Sequence, residues 1–305
     1  MPLTEMLLGG TTVRLTWNVV ADVRNELAFH FMLNAMRAGT IVAIVAAAVG
    51  WFMVLRKETF AGHTLSVVGF PGGAGAVWLG LSAMWGYFAF CIGAAVVIAM
   101  IPRAGDRGYV EESGAIGTLQ AFALACGFLF AGLAGGFANG FSALLFGSFT
   151  GVTDTQVLTL LLVAVAVVLV GAVTARPLLF ASIDPDVASA RGVPVRMLSI
   201  GFLVVLGIAV AEASQITGSL LVFALLVVPA ATAQTLTARP VLGLCVSIAV
   251  ALAITWLGLT AGFYSNYPIG FWITTIAFAG YVAVRSSRRL VGRRFSARRH
   301  GGPMP

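Results

Sequence analysis

Long apolar runs recur along almost the whole of this chain, and they limit its fold before any motif is considered. Each is long enough to cross about 30 Å of hydrocarbon as a helix. Of the 305 residues, 59% are hydrophobic and 10% are charged, against about 25% charged in a soluble domain. The runs are continuous and show no alternation of apolar and polar residues, which excludes a membrane barrel. The fold class is therefore all-α, a polytopic helical membrane protein.

Taken in order, spans are expected at about 33–55, 64–81, 82–101, 114–136, 155–175, 197–211, 216–236, 241–262 and 268–284. The count is about nine, or eight if the two segments within 64–101 are not both full crossings. The sixth span is closed by Glu212-Ala-Ser-Gln215, which reads as a polar turn. The second segment is rich in glycine and carries Pro71; it reads either as a broken helix near a path or as a kinked packing helix. Residues 137–153 are too polar and glycine-broken for a span, and suit a half-inserted or surface helix. Asp154 follows as the expected cap of the next helix. Residues 1–31 form an interfacial or extracytoplasmic arm and show no cleaved leader. Residues 32–285 form the membrane domain. Residues 286–305 form a basic tail, expected to be disordered and to lie against anionic lipid.

Arginine and lysine set the orientation. Arg56, Lys57, Arg103, Arg107, Arg176, Arg191, Arg196, Arg239 and the tail fall on one side, which leaves Arg14, Arg24 and Arg37 on the other. The basic side faces the cytoplasm, so the C-terminus is inside. The net charge of +7 follows the membrane rather than one soluble face, and no nucleic-acid role is expected. Cys91, Cys126 and Cys245 each stand alone in an apolar run, without metal or redox spacing.

One polar interruption is unlike the others. Ile183-Asp-Pro-Asp-Val-Ala-Ser-Ala-Arg-Gly-Val-Pro194 begins with a capping carboxylate and a proline suited to the first helical position. It ends at Gly192, with Pro194 barring continuation. This predicts about two turns of helix on the cytoplasmic face, too short to stand alone. It reads either as a docking knob or as an ordered loop.

Ionisable groups within spans are costly, so each is a functional candidate. His63 opens the second segment and suits a borderline metal or an interfacial position. Glu212 reads as a cation-attracting group or as an exposed carboxylate at a turn. Gln215 suits an interhelical hydrogen bond. His30 and His300 lie in flanking segments and carry no signal. No phosphate-binding loop, His-Glu-x-x-His or protease constellation occurs, so the chain carries no energy source or catalytic set. A self-sufficient ion-coupled transporter would need intramembrane carboxylates or inverted repeats, and neither is evident.

Several stretches together resemble a known family. Gln215-Ile-Thr-Gly-Ser-Leu-Leu-Val-Phe-Ala-Leu-Leu-Val-Val-Pro-Ala-Ala-Thr-Ala233, the Asp-Pro segment at 183–194, Leu144-Leu-Phe-Gly-Ser-Phe149 and Glu112–Gly117 are similar to motifs of the zinc/manganese/iron-type ABC transporter permeases. The resemblance covers about 33–284. It implies a transmembrane subunit of a bacterial ABC importer in the cytoplasmic membrane. The subunit moves divalent metal, zinc or manganese and possibly iron, and is not itself an enzyme. The implied partners are cytoplasmic ATPase subunits, an extracytoplasmic metal-binding protein and a second or paired permease. No cofactor is bound; the metal is cargo. The resemblance also implies that 184–192 is the coupling helix, with Asp184, Pro185, Asp186, Ala190, Arg191 and Gly192 at the ATPase. Ser66, Gln215, Gly218 and Pro229 then fall in the gate or path segments, and His63 is the candidate metal ligand. Where the family carries a second histidine four residues on, this chain has Val67, which cannot bind metal. A permease for a metal chelate is the alternative that this departure favours.

Overall fold

The computed structural model of the chain describes residues 24–101, 105–135, 141–149, 151–265 and 267–299. After a helical turn at 24–27 come α1 (His30–Leu55), α2 (Thr59–Trp78), α3 (Ala83–Met100), α4 (Gly105–Leu133), the short α5 (Phe141–Phe146), α6 (Asp154–Ile183), the short α7 (Pro185–Ala190), α8 (Val195–Leu236), α9 (Pro240–Tyr264) and α10 (Ile269–Arg299). Seven segments among the described residues are long and apolar enough to cross a membrane; α2 and the shorter stretch Leu221–Leu236 run with them.

Hydrogen bonds at the two ends of α1 give the directions of its neighbours. At the His30 end, His30 meets Asp154 at 3.1 Å and Asn34 donates to the Val152 carbonyl at 3.2 Å, so α6 starts there. At the Arg56 end, Arg56 reaches Ser182 near the close of α6 and Ser199 near the start of α8. Thus α1 and α6 are parallel, and α7 hangs at the Arg56 end.

The reading of the sixth and seventh spans needs one correction. Residues 212–215 are not a turn. They lie inside α8, and Glu212 is 1% exposed rather than solvated. The chain instead reverses at Gly218, the one residue of α8 with non-helical angles (φ 72°, ψ 161°). The reversal follows from packing. Ser199 is held by Arg56 at 2.7 Å, and Gln234 donates to the Trp51 carbonyl at 3.2 Å. A straight helix would set these two residues about 50 Å apart, yet both sit at the Arg56 end of α1. Residues 195–217 (α8a) therefore leave that end and 219–236 (α8b) return to it. The polar look of Glu212-Ala-Ser-Gln misled because polarity and turn geometry part company here.

Small residues allow this closeness. A Cβ on Gly72 would lie 2.4 Å from the Gly86 carbonyl oxygen, and one on Gly86 would lie 1.9 Å from that of Gly72. The backbones of α2 and α3 are in direct contact there. The helix α2 runs unbroken through Pro71, so it is a packing helix and not a broken one. It begins at Thr59, which puts His63 inside the helix and not at its start.

Two further details differ from expectation. Thr153, not Asp154, caps α6: its hydroxyl accepts from the Gln156 amide and the Gln156 side chain answers on the Thr153 amide, a reciprocal capping box. Asp154 is the first helical residue and is free to meet His30. Helix α10 continues to Arg299, where a disordered tail was expected from 286; residues 300–305 lie outside the described residues. So do 1–23, which hold most of the arm.

Arg56 ties the Arg56 end together. Its guanidinium donates to Glu58 Oε1 at 3.0 and 3.3 Å, to Ser199 Oγ at 2.7 Å and to Ser182 Oγ at 3.4 Å, and stacks 5.2 Å from the Phe202 ring centroid. Both members of the ion pair are about nine-tenths buried. Removing one partner of such a pair strands the other charge, at a cost of about 3–5 kcal/mol. Arg56→Ala is therefore expected to lower the melting temperature of the detergent-solubilised chain strongly. Gly218→Ala combines a left-handed φ with a Cβ 2.3 Å from the Gly147 nitrogen; it is expected to cost at least as much, measured in the same melt.

Candidate functional site

His63 lies one turn into α2, half-buried. The Gln120 amide of α4 approaches its Nε2 at 3.4 Å, and the Phe223 ring of α8b packs edge-on at 4.7 Å. Gln120 is oriented in turn by Thr64, whose hydroxyl donates to Gln120 Oε1 at 3.0 Å. Accepting from Gln120 leaves the proton of a neutral ring on Nδ1, and Nδ1 is buried without a hydrogen-bond partner. The ring is thus held by α4 and α8b with one nitrogen uncommitted. In that tautomer Nδ1–H can only donate, so the ring meets a metal through Nε2, by exchanging the Gln120 amide for the ion.

Ser66 does not point a free hydroxyl at His63; it donates to the His63 carbonyl at 2.7 Å. Val67, four residues on from His63 and so on the same helix face, is buried and adds no ligand. Gln215 is half-buried and its amide turns back to the Ala211 carbonyl at 3.4 Å. Among the described residues no group of three His, Cys, Asp or Glu gathers to hold a metal. His63 stands on a packed helix, one turn from its start.

Gly218 and Pro229 belong to a different feature. Gly147, itself at φ 81°, packs so closely on the break that a Cβ on Gly218 would lie 2.3 Å from the Gly147 nitrogen and one on Gly147 would lie 2.4 Å from the Ile216 carbonyl oxygen. The Ser148 amide donates to the Ile216 carbonyl at 3.0 Å, an acceptor released by the break in α8. The Tyr87 hydroxyl donates to the Leu144 carbonyl at 3.2 Å. The stretch 144–149 is thus folded into the bundle against the reversal of α8. Two motifs far apart in the sequence, Leu-Phe-Gly-Ser and Gln-Ile-Thr-Gly, meet here as one backbone contact. Pro229 lies within α8b, where it denies one amide to the helix.

The stretch 183–194 folds as its residues dictate. Asp184 Oδ1 accepts from the Val187 amide at 3.0 Å, Pro185 occupies the first turn, and the helix stops at Gly192 with φ 79°. Ala188 is fully buried and anchors α7 to the bundle. Asp184, Asp186, Ala190, Arg191 and Gly192 are exposed. Around them stand exposed apolar side chains, Ile183, Val187 and Met197. The result is a projecting knob with two carboxylates, one guanidinium and an apolar rim. Sequence reading missed Gln120 and Phe223 at His63, because neither residue type at an isolated position carries a signal. It also missed the burial of Glu212.

The model of the ABC 3 transport family matches residues 28–287. The manganese import system permease protein ScaB of Streptococcus parasanguinis is 31% identical over 242 residues, 79% of this chain and 85% of that protein. The manganese transport system membrane protein MntC of Halalkalibacterium halodurans is 30% identical over 222 residues, 72% of this chain and 75% of that protein. Among solved structures, PsaBC from Streptococcus pneumoniae in complex with Fab superposes with a TM-score of 0.77 at 28% identity, covering 87% of this chain and 95% of that one. An inward-facing conformation of a putative metal-chelate type ABC transporter, 17% identical with a TM-score of 0.70, shares the fold. The break at Gly218, its plug at 144–149 and the knob at 184–192 all fall inside the matched region, and the chain is a member of the ABC 3 transport family.

Proposed function

We propose that the chain is the transmembrane permease subunit of a bacterial ABC importer for divalent metal, with manganese the first candidate cargo and zinc or iron next. Family membership across nearly the whole bundle carries this reading. Manganese comes first because it is the metal named for ScaB and MntC. The chain has no phosphate loop, so hydrolysis belongs to a separate ATPase subunit. An extracytoplasmic metal-binding protein delivers the ion to the opposite face. The permease pairs with a second copy or a paralogue.

Orientation follows from charge. The end of the bundle bearing α7 also bears Arg56, Lys57, Arg176, Arg191, Arg196, Arg239, Arg285 and Arg288, and basic residues mark the cytoplasmic side. The knob and the C-terminus then face the cytoplasm, and His30 and Asp154 face outward. The helix α7 is the ATPase-docking element. Its exposed Asp184, Asp186 and Arg191 supply charged contacts, and Ile183, Val187 and Met197 supply apolar area. His63 contacts the ion in transit, and Ser66, Gln215, Gly218 and Pro229 belong to the moving segments around the path.

The docking role is tested by Asp184→Lys combined with Arg191→Glu. Co-purification of the ATPase and metal uptake are both expected to fail while the permease still reaches the membrane; normal co-purification with normal uptake would remove the assignment. Cargo is tested by elemental analysis of manganese, zinc and iron in metal-limited cells with and without the gene. Selective loss of one metal names the cargo, and unchanged contents of all three would sink free-metal import. His63→Ala is expected to lower uptake of that metal by about tenfold, the lower end of what losing a metal-orienting group costs.

A further inference from the structure

Glu212 is the group in this bundle that packing does not explain. Among the described residues, Glu26 and Glu212 are the charged side chains buried to 1% exposure or less. Glu26 accepts from the Thr260 hydroxyl at 3.1 Å. Glu212 has neither oxygen hydrogen-bonded, and both are shielded from solvent. It sits in the middle of a helix whose residues from Ala209 to Ser214 are all buried. An unpaired polar or charged group in such a place destabilises the bundle, and an intramembrane carboxylate signals function by default. Among the described residues no cation pairs with Glu212.

Its position narrows the role. The hydroxyl of Ser214 would stand 3.3 Å from a Cβ on Gly69, and α2 and α8a both leave the Arg56 end, so they run parallel. Two residues before Ser214, Glu212 is about 3 Å nearer that end, level with Val67 on α2. At that level α2 carries the apolar Val67, and Glu212, about 200° round the helix from Ser214, is turned away from α2. Glu212 also lies on α8a, the helix that leaves the α7 knob, and six residues before the reversal at Gly218. It is therefore on the element first displaced by any movement at the knob and next to the point where α8 can flex.

Resting on the import reading above, we infer that Glu212 is a transit ligand for the cargo, and that it takes a hard, oxygen-seeking dication such as Mn2+. The ion supplies the counter-charge that the protein omits. A carboxylate oxygen is a donor type that suits manganese, where a thiolate would select zinc or copper. His63 then provides a nitrogen stop at a separate level, about 6 Å along α2 from Val67. In the conformation described, Glu212 is sealed from both faces, and the ion reaches it only when α8a parts from its neighbours.

The test uses the full chain in lipid nanodiscs, and the same chain with its ATPase in cells. Binding of Mn2+ alone is read by loss of the free-ion electron paramagnetic resonance signal, with Zn2+ as competitor. Glu212→Gln is expected to weaken Mn2+ binding and uptake by roughly tenfold or more, and Glu212→Asp to retain part of both. The metal-free Glu212→Gln chain is also expected to melt at or above the wild-type temperature, because an unpartnered buried carboxyl has been replaced by a neutral amide of the same shape; a merely structural glutamate would lower it. Equal Mn2+ binding by the wild-type and Glu212→Gln chains would overturn the assignment. So would a lowered melting temperature with uptake unchanged. Wild-type binding that needs Glu212, found without any cellular uptake, would keep the site and refute the import reading instead.

Discussion

Inside hydrocarbon every backbone amide and carbonyl must find its partner within the protein, and the break in α8 is where this chain meets that demand most directly. Reversing a helix within a bundle releases carbonyls with no water to take them. The chain answers with a second piece of backbone. Ser148 gives its amide to Ile216, and Gly147 presses on Gly218 without a side chain between them. Tyr87 holds the same loop from α3 through Leu144. The surrounding helices α1, α2 and α3 can then pack closely on α8, because the irregular segment is covered on its open side. The arrangement of the bundle depends on this plug more than on any one apolar contact.

The opposite end is organised by charge. Arg56 holds a carboxylate two residues away, a serine before α7 and a serine after it. Both roots of the knob are thereby tied to the turn that leads into α2, the helix carrying His63. A single planar guanidinium suits this task, because its donors point in several fixed directions at once. The knob is exposed and the clamp behind it is buried, so force applied outside meets a rigid connection inside.

Much of this was legible in the sequence, and the failures have physical causes. The spans were readable because apolar length is a direct demand of the bilayer. The helix at 184–192 was readable residue by residue, because Asp184, Pro185 and Gly192 each perform a local task that needs no neighbour. The turn at 212–215 was misplaced because polar residues mark turns only where water is present, and Glu212 is buried for a reason unrelated to chain direction. Gly218 was placed in a gate or path segment by the resemblance and not read as a turn; what makes it a turn is Gly147, seventy-odd residues away in the chain. The cap of α6 was off by one residue because Thr153 and Asp154 are both good caps, and only the reciprocal Gln156 decides between them. The surroundings of His63 could not be read at all, since Gln120 and Phe223 are brought there by packing.

The contact between Gly72 and Gly86 bears on how such proteins diverge. Each position is closed by the other's carbonyl and not by the other's side chain. A substitution at one therefore cannot be relieved by trimming its partner, since nothing is left to trim. Substitution at either site is barred separately, and no compensating pair exists. Relatives that keep this crossing will show two unchanging glycines and no correlated exchange between them. Methods that find neighbours through paired substitutions are blind to the tightest approach in the bundle, and it has to be recognised from shape.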